Sequence, residues 1–103
     1  MQGSAIVGIG MYVPKYRIRT AEIAKHWGED VAGMVSGLGV QEKSVPDIDE
    51  DSFTMAYEAA GQALSTSGIA PGRVSAIFVG SESHPYAVKP TSGMLVSALS
   101  LDP

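Results

Sequence analysis

The chain contains no cysteine. Disulfides, thiolate metal sites and a cysteine nucleophile are therefore excluded from these residues, and the composition fits a cytoplasmic protein. Histidine is scarce as well: there are only two, His26 and His84. They have no zinc-ligand spacing, so no metal is expected. Long hydrophobic runs are missing; stretches such as AIFV are far too short to span a bilayer. MQGSAIVGIG at the N-terminus lacks the basic start and long apolar core of a secretory signal. Basic excess is absent too. Seven Lys and Arg face eleven Asp and Glu, a net charge of −4, which argues against the clustered basic face of a nucleic-acid binder. Glycine is frequent, yet GIG at 8–10 and GLG at 37–39 have neither dinucleotide nor phosphate-loop spacing. Asp47, Asp49, Glu50 and Asp51 lack the spacing of a calcium loop, and they read as the solvated start of a helix.

What is present is globular. Hydrophobic residues make up 45% and charged residues 17% of 103 residues, enough for one domain with a modest core. Residues 4–13 (SAIVGIGMYV) are apolar and read as a largely buried strand ended by Pro14. Lys15, Arg17 and Arg19 alternate with Tyr16 and Ile18, which implies an extended segment with one charged side. Thr20 is expected to cap a short helix ending at Gly28, and Asp30 a second closing at Gly37–Gly39. Residues 40–45 read as a short extended piece. A long helix is expected from Ser52 to Ser67, with Met55, Ala56, Ala59, Ala60, Ala63 and Leu64 at helical spacing. Its stripe is small enough to press closely on a sheet or another helix. Residues 74–80 (VSAIFVG) read as a second buried strand. Thr91 or Ser92 is expected to cap a last helix. The order β-α-α-α-β-α, with two parallel strands, is that of an α/β layered fold. Two or three strands leave sheet faces and edges that need cover, so the chain reads as one piece of a larger assembly.

The loop after the second strand, SESHPYAVKP, gathers the chemistry. Glu82 lies just past the C-terminal end of a strand, where open α/β sheets place their ligands. Desolvation at such a position favours the protonated form of a carboxylate, which suits proton transfer. A carboxylate that merely caps the loop through Ser83 or a nearby N–H is an equal reading from position alone. Ser-Glu-Ser-His is not a triad, because triads are set by geometry rather than adjacency. His84 is held extended by Pro85 and either contacts a substrate oxygen or braces the loop. His26, beside Trp27, reads as structural. Lys15, Arg17, Arg19 and Lys89 could hold phosphates of a nucleotide-like ligand or form a solvated edge.

The stretches IVGIGMYVPKYRI, WGED, GLGVQEKSVP, DEDSFTMAYEAA and VGSESHPYAVKPTS, in this order over residues 5–93, resemble hydroxymethylglutaryl-CoA synthases of the archaeal type. The resemblance implies a thiolase-like layered fold, with residues 1–103 forming the N-terminal part of its first half, an incomplete domain. It implies condensation of acetyl-CoA with acetoacetyl-CoA, both substrates rather than cofactors, to hydroxymethylglutaryl-CoA and CoA on the mevalonate route to isoprenoids. In that reaction a cysteine carries the acetyl group, a glutamate removes a methyl proton and a histidine assists at the acetoacetyl carbonyl. Glu82 matches the glutamate, while Asp30 and Val31 match the place where CoA is touched near its nucleotide end. A homodimer, an acetoacetyl-CoA thiolase and an OB-fold bridging protein are the partners the resemblance implies. The cysteine is expected beyond residue 103 and the histidine later still, so neither role passes to His84. Another thiolase-fold condensing enzyme of the ketoacyl synthase kind, or a non-catalytic interaction piece, is the alternative. The 103 residues alone are expected to give no condensation; acetoacetyl-CoA-dependent release of CoA from them, followed with a thiol reagent, would overturn this.

Overall fold

The computed structural model describes residues 3–101. The expected domain limits at 1 and 103 lie outside the described residues. The chain folds as two compact units. One is Val13–Asp49; the other takes in the described residues up to Tyr12 together with those from Glu50 onward.

The smaller unit contains β1 (Tyr16–Arg19), α1 (Thr20–Trp27), α2 (Val31–Leu38) and β2 (Glu42–Val45). β1 and β2 pair antiparallel, with Tyr16 opposite Val45 and Arg19 opposite Glu42. All four residues of β1 are exposed, so the alternation of charge and apolar residues fixes extension without burying a face. α1 packs against α2 and β1, and Ala24 on α1 is fully buried. Thr20 is not a cap. Arg19 holds the N-cap position without a side-chain bond, and Thr20 is the first helical residue. Its hydroxyl donates to the Val40 carbonyl at 2.7 Å and its N–H to the Gln41 carbonyl at 2.8 Å. Burial decides this: the hydroxyl of a buried threonine goes where an acceptor faces it, and here that acceptor precedes β2. α1 and α2 end at Gly28 (φ 70°) and Gly39 (φ 64°), left-handed positions that glycine occupies without a Cβ penalty.

The larger unit is built on α3 (Ser52–Ser67), followed by a 3-10 turn at Pro71–Arg73 and by α4 (Thr91–Ala98). α3 spans the expected residues. Asp51 caps it, accepting the Thr54 N–H at 2.8 Å while the Thr54 hydroxyl accepts the Asp51 N–H at 2.9 Å, a reciprocal box that satisfies two orphan donors. The small-residue stripe admits a close neighbour, and that neighbour is an unpaired extended run rather than a sheet or another helix. A Cβ on Gly8 would lie 2.5 Å from the Ala63 carbonyl oxygen and 2.8 Å from the Ser67 Cβ, and one on Gly10 2.7 Å from the Ala63 nitrogen. The backbone of residues 8–10 thus lies directly on the helix surface. The Met11 N–H reaches the Gln62 side-chain oxygen at 3.2 Å, and the Tyr12 hydroxyl donates to Glu50. α4 packs on α3, with Leu95 2% exposed.

The two runs expected as buried strands differ from that reading. Among the described residues, 4–13 and 74–80 carry no ladder, and the sheet is the β1–β2 pair alone. Ile6 is 84% and Phe78 93% exposed. A strand is defined by hydrogen bonds to a neighbour. These runs instead lie beside α3, where they help line an apolar hollow of about 300 Å³ with Ala63 and Leu64. The observed order is β-α-α-β-α-α, and the one strand pair among the described residues is antiparallel and formed by the two short extended pieces.

Two glycines separate close approach from helix propensity. Gly10→Ala should destabilise the protein by about 1–3 kcal/mol, because the methyl meets helix backbone that cannot swing away. Gly61, inside α3 with open space around its Cβ position, should gain about 1 kcal/mol as Ala. Urea midpoints of the two variants against the parent protein measure both signs.

Candidate active site

The loop of residues 81–90 leads from the apolar run 74–80 into α4. It lacks regular structure, but side chains from both ends and from α3 pin it. The Ser83 N–H donates to the Ser81 hydroxyl at 3.0 Å, closing a small turn around Glu82. The hydroxyl of Ser52, first residue of α3, donates to the Ser83 carbonyl at 2.7 Å. The Nδ1 of His84 pairs with the Thr91 hydroxyl at 2.8 Å. Thr91 is 2% exposed. Neither Thr91 nor Ser92 is the expected cap, since Pro90 occupies that position and makes no side-chain cap bond. As with Thr20, a buried hydroxyl on the first helical residue binds an external partner. The Lys89 ammonium lies 5.5 Å from the centre of the Tyr86 ring. His84, Tyr86, Lys89 and Thr91 help to line a hollow of about 270 Å³ beside the loop.

Glu82 is exposed. Among the described residues no hydrogen bond or ion pair holds its carboxylate. The apolar mouth expected around it is not built by these residues, and neither is the bland alternative of a carboxylate bonded to Ser83. What the structure supplies is a carboxylate on a backbone held from both sides.

Asp30 and Val31 belong to the smaller unit and Glu82 to the larger. Asp30 caps α2 as expected, accepting the Gly33 N–H through Oδ2 at 3.0 Å, and its carbonyl accepts the Met34 N–H at 2.9 Å. Val31 opens the helix. Asp30, Gly33, Met34, Gly37 and Leu38 line a shallow hollow along α2. In the basic segment, Arg17 lies 3.9 Å from Glu42 and donates to the Pro14 carbonyl, while Lys15 sits over the Tyr16 ring at 5.5 Å. His26 meets Trp27 edge-on, with ring centres 5.2 Å apart. Among the described residues no group of three His, Asp or Glu side chains is arranged to hold a metal ion. No helix among them is long and apolar enough to cross a membrane.

Sequence reasoning missed the anchoring roles of Ser52 and Thr91. It read Ser52 as a helix start and Thr91 as a cap. The prolines at 85 and 90 mark the loop as stiff, yet nothing local signals a bond between residues 31 positions apart.

No family model matches the chain. Its whole length aligns at 56% identity with a hydroxymethylglutaryl-CoA synthase of Methanococcus vannielii, covering 30% of that protein. A hydroxymethylglutaryl-CoA synthase of Archaeoglobus fulgidus is 58% identical over 91% of the chain and 27% of its own length. The resemblance is to hydroxymethylglutaryl-CoA synthases, along the whole chain. The chain spans about 30% of the length of these curated relatives. Among solved structures, MvaS in complex with 3-hydroxy-3-methylglutaryl coenzyme A superposes with a TM-score of 0.75 at 28% identity, over 93% of this chain and 23% of that one. FabH of Pseudomonas aeruginosa, a 3-oxoacyl-(acyl carrier protein) synthase III, gives 0.73 at 24% identity, over 92% of this chain and 28% of that one; it shows the fold alone. The fold is therefore part of a thiolase-like one, and the expected fold class holds although its strands are not paired here.

Replacing Asp30 with Ala should cost about 1 kcal/mol, the usual penalty for a lost N-cap, whereas Asp30→Ser should stay near the parent value. Thermal denaturation distinguishes them; equal losses would mean that the charge, not the cap bond, matters.

Proposed function

We propose that this chain is the part of a hydroxymethylglutaryl-CoA synthase that supplies the general base, with Glu82 taking a proton from the methyl group of an enzyme-bound acetyl thioester. CoA leaves when acetyl-CoA acetylates the nucleophile; the carbanion equivalent then attacks the ketone carbonyl of acetoacetyl-CoA, forming the new carbon–carbon bond, and water cleaves the enzyme thioester to release hydroxymethylglutaryl-CoA. The single observation that carries this reading is identity above 50% with synthases over 91–100% of the chain. A thioester α-proton is weakly acidic, so its base has to be close and held in a reactive pose. An exposed carboxylate on a pinned backbone suits that task.

The chain contains no cysteine, so the nucleophile that carries the acetyl group comes from outside these 103 residues. Asp30 and Val31 are the proposed CoA contacts. The Asp30 carboxylate is engaged by Gly33, which leaves backbone groups at the start of α2 and the Val31 side chain for that role. A first-turn N–H there suits a polar or anionic part of the ligand. A cytoplasmic homodimer serving the mevalonate route, working with an acetoacetyl-CoA thiolase and an OB-fold bridging protein, completes the reading.

Glu82→Gln in the full-length protein carrying these residues should lower the condensation rate by about 10²- to 10⁴-fold, the usual range for losing a general base. Acetylation of the protein by acetyl-CoA, read by intact mass, should persist. Condensation within a few-fold of the parent rate would overturn the assignment.

A further inference from the structure

Glu82 presents a placement problem. A base acts only when its oxygen is within hydrogen-bonding reach of the proton it removes, and a displacement of about 1 Å can cost about a hundredfold in rate. Among the described residues nothing holds the Glu82 carboxylate itself. Its pose must therefore come from the backbone, and the backbone of this loop has few anchors.

One anchor is Ser52, whose bond to the Ser83 carbonyl ties the loop to the start of α3. The other joins His84, two residues from Glu82, to Thr91. Thr91 has the properties of a fixed post. It is 2% exposed, it opens α4, and its hydroxyl is free of capping duty because Pro90 holds that position. One turn further on, Leu95 is buried to the same degree and α4 packs on α3. His84 is the mobile half of the pair: an exposed residue whose ring reaches into the fold, with its own backbone held extended by Pro85. A ring nitrogen and a hydroxyl can each donate or accept, so the bond survives either neutral tautomer.

The geometry points to His84 and Thr91 as a clasp that sets the position of Glu82 for proton abstraction, with His84 a positioning residue and not a group that touches substrate. This rests on the reading of Glu82 as the base. Opening the clasp frees the segment between Ser83 and Pro90 and lets Glu82 sample unreactive poses. The turnover number falls, while substrate affinity is little changed.

The test uses the full-length protein carrying these residues, with acetyl-CoA and acetoacetyl-CoA as substrates. His84→Ala and Thr91→Val should each lower kcat by about 10- to 100-fold, within the range expected of misplacement, with KM for acetoacetyl-CoA within about threefold of the parent. The double variant should be no worse than either single one, because both remove the same bond. Thr91→Ser keeps the hydroxyl, and His84→Asn puts an amide near the position of Nδ1; both should recover most of the rate. These two also guard against variants that fail to fold. Multiplying losses in the double variant would overturn the clasp. So would full activity in Thr91→Val alongside loss in both His84→Ala and His84→Asn, which would make His84 a substrate contact. Glu82→Gln, run in parallel, separates the two levels. If it is inactive while the clasp variants are unaffected, only the clasp fails; if it is active, the base assignment fails and the clasp with it.

Discussion

The larger unit depends on the absence of side chains at two positions. Gly8 and Gly10 let a stretch of backbone rest on α3 at a separation that no Cβ would allow. The helix meets them with Ala59, Ala63 and Ser67, so both surfaces are small and their atoms come within full dispersion range. The arrangement is shape-limited more than area-limited. Larger side chains would bury more surface but would lift the run away from the helix and from Gln62, which accepts the Met11 N–H. α3 then serves as the reference for the rest of this unit. Its capped start presents Ser52 to the Ser83 carbonyl, and α4 lies against it.

From that reference the loop of Glu82 acquires a division of labour. Its backbone is tied to two helices, while its carboxylate is exposed and unbonded among the described residues. Rigidity is thus located where it costs least, in hydroxyl and imidazole bonds to main chain and to a buried threonine. The carboxylate proposed as the base keeps no bond, among the described residues, that a ligand would have to break. A carboxylate already bonded to serine would exchange one partner for another before it could act.

Much of this was legible from residue pattern. The α3 boundaries, the Asp30 cap, the glycine stops at Gly28 and Gly39 and the extended pieces at Tyr16–Arg19 and Glu42–Val45 all reflect local chemistry, and local chemistry is what a sequence displays. The apolar runs 4–13 and 74–80 were legible as apolar and extended, but strand status depends on a neighbour that side-chain pattern does not name. Thr20 and Thr91 misled for a related reason. A threonine before a helical pattern satisfies the rule for caps, yet burial turns its hydroxyl toward whichever acceptor or donor packs against it. For the proposed site, Glu82 stands out by its place after an apolar run and by the motif around it. Its exposure, and its anchoring through Ser52 and Thr91, are tertiary facts.

The bond from Tyr12 to Glu50 has a consequence for how such a chain can vary. These residues flank Val13–Asp49, so the smaller unit is an excursion that leaves and rejoins the larger one through a tied neck. With its ends joined, a change of length in one of its flexible turns costs only about 0.6 kcal/mol of closure entropy for each doubling of that turn. In chain order Val13–Asp49 is a cassette, entered and left between two residues that are bonded to each other.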